Sequence, residues 1–153
     1  MKLKSLTVDV ISLGFILLWM YAASSKLIDF EKFSIQLSKS PMLTQYSHFT
    51  AWLVPLVEIL IAACLFIERF RLIGLYASYS LMVAFSAYIY AITHYSEVVP
   101  CSCGGILEDM TWQQHFIFNI ILVLIGVIGI LLYHPGVSKS EPSIYSTSKL
   151  LFE

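Results

Sequence analysis

The sequence predicts an all-α membrane protein, a bundle of four transmembrane helices with a short amphipathic interfacial segment after the first. Three observations carry that expectation. Of 153 residues, 58% are hydrophobic and 12% charged, whereas a soluble domain is about 45–50% apolar and about 25% charged. Four stretches have the roughly 20 mostly apolar residues that a helix needs to cross hydrocarbon. None of the four alternates with period two, which excludes a β-barrel and leaves helices as the structure that can satisfy its backbone within lipid.

The same composition excludes other classes. A mean hydropathy of +0.80 is not that of a soluble enzyme or a disordered chain. Nine Lys and Arg against ten Asp and Glu give no basic footprint for nucleic acid. The length allows one membrane domain, over about residues 1–135, followed by a Ser-rich tail, 136–153, expected to be disordered and cytoplasmic.

The first span is expected at about 6–25, interrupted only by Asp9, and the second at 49–67, with Pro55 and Glu58 inside it. The third, 72–93, is rich in Tyr, Ser and Ala; the fourth, 116–133, holds Asn119 and two glycines. Between the first two, Leu27, Phe30, Phe33, Ile35 and Leu37 alternate with charged and polar residues, which predicts a surface helix ending before Pro41. A tight turn at Glu68–Arg71 joins the second and third spans, and a long loop, about 94–115, joins the third and fourth.

Charge sets the orientation. Lys2, Lys4, Arg69, Arg71, Lys139 and Lys149 share one side; Lys26, Lys32 and Lys39 lie on the other, and the long loop has neither Lys nor Arg. The positive-inside rule then places both termini in the cytoplasm and the loop outside, in an inner (cytoplasmic) membrane. The first span also has features of a cleavable signal peptide; cleavage would leave three spans without moving the remaining loops. Trp19 and Tyr21 favour a retained helix with an interfacial anchor.

The loop carries Pro100-Cys101-Ser102-Cys103-Gly104-Gly105. An i, i+2 disulfide closes a very small ring, whose strained geometry makes it easier to reduce. The glycines permit the backbone angles of such a ring, and an extracytoplasmic location is where disulfides persist. Cys101 and Cys103 are therefore candidates for a redox-active pair. Two other uses stay open: a static bridge or idle thiols, and a thiolate metal site completed by His94 or His115 for Cu(I) or Zn, although no metal ligand set is assigned. Cys64, in the second span, is expected to be a small buried filler.

Within the spans, Glu58 is a functional candidate by default because a mid-bilayer carboxyl is costly. It is either neutral and hydrogen-bonded as interhelical glue, or paired with a cation. Lys26, at the outer end of the first span, is the nearby cation; it either extends outward to the interface or turns inward to a thiolate or to Glu58. The third span presents Tyr76, Tyr79, Ser80, Val83, Ala87 and Tyr90 at spacings of three and four. Packing explains such a stripe, and its phenols can also line a pocket for a flat ligand. Asn119 is expected to hydrogen-bond between helices and is grouped with Tyr76, Tyr79 and Tyr90 as a candidate for cofactor binding.

Taken together, Ser25-Lys26-Leu27 with Asp29-Phe30 and Phe33, Pro55-Leu56-Val57-Glu58, Cys101-Ser102-Cys103-Gly104, and Trp112 with Asn119 resemble the MauE/DoxX group of redox-associated membrane proteins, MauE in particular. The resemblance covers about residues 6–133; Gly105 departs from it, standing where many members carry an aromatic. It implies a four-helix bundle and a role in disulfide formation, since MauE is associated with maturing the multi-disulfide small subunit of methylamine dehydrogenase in the periplasm. The expectation is a membrane thiol–disulfide protein acting through Cys101 and Cys103, with Lys26 and Glu58 in the site. Its partner would be an extracytoplasmic client or a thioredoxin-like protein, and a quinone held among the helices would receive the electrons. A metal-binding or transport module and a non-catalytic assembly factor with a static disulfide are the alternatives.

Overall fold

The structure is a computed structural model and describes residues 2–39, 44–95 and 111–133. It is helical throughout: α1 (Lys2–Ile28), α2 (Phe30–Ser38), α3 (Ser47–Phe66), α4 (Arg71–Tyr95) and α5 (Trp112–Leu132), with single 3₁₀ turns before and after α3. Helices α1, α3, α4 and α5 are long and apolar enough to span a membrane. They pack in a ring, α1 against α3 and α5, and α4 against α3 and α5. The loop with Cys101 and Cys103 and the tail after Tyr133 lie outside the described residues.

Helical periodicity writes the core. On α1 the buried residues are Val8, Ser12, Phe15, Trp19 and Ala23; on α4 they are Leu75, Ser78, Met82, Ser86, Ile89 and Ile92. These spacings of three and four place each set on one stripe. The opposite faces are no more polar: Leu6, Leu13, Leu17, Leu56, Phe66, Leu124 and Leu131 are all exposed. A helix that is apolar all round matches a lipid surround.

Small residues bring the helices close. At Gly74 of α4, a Cβ would come within 2.8 Å of both the backbone nitrogen and the side chain of Leu65 in α3, so no larger residue fits without a shift. The indole of Trp19 donates to Ser78 Oγ at 2.9 Å, joining α1 to α4 across the bundle. At the end where the chain starts, Arg71 reaches Asp9 at 2.7 Å, which supplies a partner for the one acid within the first span.

The spans run longer than expected at several ends. α1 extends three residues past Ser25. α5 begins at Trp112 rather than Phe116, because Thr111 caps it: Thr111 Oγ1 accepts from the Gln114 backbone N–H, and the Gln114 side chain accepts from Thr111 N–H. That reciprocal capping box satisfies two otherwise orphaned donors. α2 ends at Ser38, as the amphipathic pattern predicts, and follows α1 after a one-residue break at Asp29. Its Phe33 and Leu37, four residues apart, are buried against Ala51 of α3, so α2 is a packed part of the bundle.

Candidate functional site

Four helices and α2 enclose a cavity of about 260 Å³. The lining follows from spacing. α3 offers Thr50, Val54 and Glu58, each one turn further along the same face. α5 offers Trp112, His115 and Asn119 at steps of three and four, and α1 offers Ala22 and Lys26. Phe33 and Leu37 of α2 close one side. The walls are otherwise hydrocarbon and aromatic, with Trp19, Phe85 and Phe118 among them.

Lys26 turns inward. Its Nζ donates to Glu58 Oε1 at 2.9 Å and to the Ala22 carbonyl at 3.2 Å, and it lies 5.8 Å from the centre of the Phe33 ring. Of the two orientations the sequence left open, the structure has the one that pairs the ammonium with Glu58. Glu58 is fully buried, about 16 Å along α3 from Ser47 at 1.5 Å per residue, so the pair joins the middle of α3 to the last turn of α1. Pro55, one turn earlier, lacks the N–H that would bond the Ala51 carbonyl, a gap that neighbouring helices make tolerable in a membrane span.

Three polar atoms of residues that line this cavity are buried and have no hydrogen-bond partner among the described residues: Glu58 Oε2, His115 Nδ1 and Asn119 Nδ2. Leaving such groups unsatisfied is costly, about 1–3 kcal/mol each. The amide N–H of Asn119 therefore makes no interhelical hydrogen bond among the described residues. Chemically the wall combines a donor, a carboxylate oxygen with a spare lone pair, an imidazole nitrogen able to act either way, and a cation already matched by an anion.

The tyrosine stripe of α4 does not contribute. Tyr76 and Tyr90 are exposed on the bundle exterior, Tyr90 stacked on His94 at 4.2 Å between ring centres. Tyr79 packs against Gly126 of α5. None of the three lines the cavity. In a helix with apolar residues all round, several parallel stripes satisfy the three-four spacing, and burial selects Leu75, Ser78, Met82, Ser86 and Ile89 instead. The tyrosines that line the cavity are Tyr21 and Tyr88. Cys64 is only partly buried rather than a core filler. Trp19, expected as an interfacial anchor, is instead a buried wall residue, and His115, expected in the loop as a candidate metal ligand, lies on the wall as well. The signal for His115 was present in Thr111-Trp112-Gln113-Gln114, a capping box that starts the helix early enough to include it.

Cys101 and Cys103 lie outside the described residues, between the end of α4 and the start of α5. The cavity opens among residues of that same end of the bundle: Trp112 and His115 belong to the first turn of α5, and Tyr88 and Ile89 to the last two turns of α4.

Fold and site together define a four-span α-helical membrane protein with a buried Lys–Glu pair on the wall of an apolar cavity. The chain belongs to the MauE family: the family described as Methylamine utilisation protein MauE matches it over residues 4–132. No curated protein and no solved structure matches the chain.

Proposed function

We propose that this MauE-family protein is a membrane thiol–disulfide exchanger that supports disulfide formation in an extracytoplasmic client, directly or through a thioredoxin-like partner. The observation that carries the proposal is the cavity with its buried Lys26–Glu58 pair, at the end of the bundle where α4 ends and α5 begins, between which Cys101 and Cys103 fall in the sequence. A static assembly factor has no need of a buried ion pair and three unpartnered polar atoms on the wall of such a cavity. Cys103 is nine residues before Trp112 on the cavity wall, a tether of about 30 Å at most.

The exchange proceeds through a mixed disulfide. A client thiolate attacks one sulfur of the oxidised pair, breaking the Cys101–Cys103 bond and forming a bond to the client. A second client thiolate then attacks the client's own sulfur. The client leaves with a disulfide, having lost two electrons and two protons, and the pair is left as two thiols. The lack of Lys and Arg in the loop, against six on the opposite side, supports an extracytoplasmic position for it.

Alkylation-shift analysis in cells, with and without oxidant, tests the proposal. Cys101 and Cys103 are expected to cycle between free thiols and a disulfide, and a membrane-impermeant maleimide is expected to reach the reduced pair in intact spheroplasts. Either Cys101→Ser or Cys103→Ser is expected to accumulate a reductant-sensitive covalent partner. If both variants retain function and neither traps a partner, the cysteines are structural and the proposal is wrong.

A further inference from the structure

We propose that the cavity lined by Lys26, Glu58, His115 and Asn119 binds the ring of a membrane quinone. The inference rests, for its electron donor only, on the thiol–disulfide reading above; the binding itself stands on the cavity. An alkyl chain or a sterol-like hydrocarbon would fill the apolar space but leave Glu58 Oε2, His115 Nδ1 and Asn119 Nδ2 still unpaired. A sugar, nucleotide or phosphate would set many polar groups against Trp19, Phe85 and Phe118, and Lys26, the one Lys or Arg among the described wall residues, is already paired with Glu58. The ligand that fits both constraints is small, flat and membrane-soluble, with an apolar ring and two oxygens.

The polar atoms also fit both redox states of such a ring. Asn119 Nδ2 donates to a carbonyl of the quinone or to a hydroxyl oxygen of the hydroquinone. Glu58 Oε2 accepts only from the hydroquinone, whose O–H the quinone lacks. His115 Nδ1 serves as donor or acceptor according to its tautomer. Glu58 is completely buried and Asn119 only 4% exposed, so both are withheld from water until a ligand reaches them. About 260 Å³ admits a single ring rather than a whole isoprenoid molecule, so the tail stays outside the cavity. The coupled reaction balances. Two S–H bonds break and one S–S bond forms in the cysteine pair, and two electrons and two protons pass to the two oxygens of the quinone, giving the hydroquinone.

Titration of the purified full-length protein with ubiquinone-1, read by tryptophan quenching, tests this. Trp52→Phe removes the exposed indole, leaving Trp19 and Trp112 on the cavity wall as reporters. Saturable quenching is expected, unchanged in the Cys101→Ser/Cys103→Ser double variant, and weakened about tenfold or more in Asn119→Leu. Ala22→Phe, which fills the cavity and keeps every polar group, is expected to abolish binding and guards against misfolding of Asn119→Leu. Durene, a ring-matched hydrocarbon without oxygens, is expected not to compete. Quenching that does not saturate, that survives Ala22→Phe, or that durene displaces as well as a quinone does, overturns the proposal. Hydroquinone formation from the reduced protein, absent in the double cysteine variant, addresses the donor separately: saturable binding without hydroquinone formation supports the cavity assignment and removes the dithiol reading instead.

Discussion

Lys26 Nζ lies 2.9 Å from Glu58 Oε1, and only the ammonium side of the pair retains any exposure. The bond crosses the α1–α3 interface, the same interface that carries the Val8, Phe15 and Ile61 packing. Removing one partner leaves the other buried and uncompensated, which typically costs about 3–5 kcal/mol, whereas replacing both with apolar groups of similar volume is often neutral or stabilising.

Lys26→Met and Glu58→Leu are each expected to lower the midpoint of unfolding in detergent substantially. The double variant is expected to regain most of that loss, the non-additivity measuring the coupling. Additive losses would show that the two side chains act independently.

Ser78→Ala is expected to destabilise the fold by about 1–3 kcal/mol, because the Trp19 indole N–H is then buried with no acceptor. Trp19→Phe in the same background is expected to recover part of that loss by removing the orphaned donor. Equilibrium unfolding of the single and double variants is the check.

Gly74→Leu is expected to be more damaging than any exposed glycine change. The Cβ alone meets the Leu65 backbone nitrogen at 2.8 Å, and backbone cannot yield as a side-chain tip does. Overpacking of this kind costs about 1–3 kcal/mol or more. Gly14→Leu, where nothing stands within 4 Å, is the matched control and is expected to be nearly silent in the same thermal assay.

Thr111→Ala is expected to cost about 0.5–2 kcal/mol through loss of the cap on α5. The larger effect is expected in the site, since fraying of the first turn loosens Trp112 and His115 together. Fluorescence of Trp112 in a background lacking the other two indoles reports it. Thr111→Ser, which keeps the oxygen, is expected to behave as the parent.

Much of the architecture is legible because hydrocarbon thickness dictates it: four apolar stretches, the tight turn at Glu68–Arg71 and the Phe33/Leu37 stripe all follow from length and spacing. Glu58 and Lys26 stand out for the same reason, as charges where charge is expensive. What spacing does not supply is rotation. In α4 the hydrophobic pattern is nearly uniform, so residue type singles out a Tyr76–Tyr90 stripe whose side chains do not line the cavity. Inward polar positions such as Ser78 and Ser86 are the better guide there, since lipid punishes a hydroxyl more than a core does. The Lys26 rotamer was equally undetermined, because outward extension and inward pairing differ only in what the folded neighbours offer. His115 is readable from the Thr111 cap, which starts α5 before the residue where hydropathy alone begins the span.

The Lys26–Glu58 pair also has an electrical consequence. A single elementary charge carried across the full membrane field exchanges about 2.3 kcal/mol with every 100 mV. Two opposite charges held 2.9 Å apart feel forces that cancel, so an inside-negative membrane neither draws α1 inward through Lys26 nor drives α3 outward through Glu58. The pair therefore sets an ammonium and a carboxylate on the cavity wall without adding a net charge on which the membrane field can act.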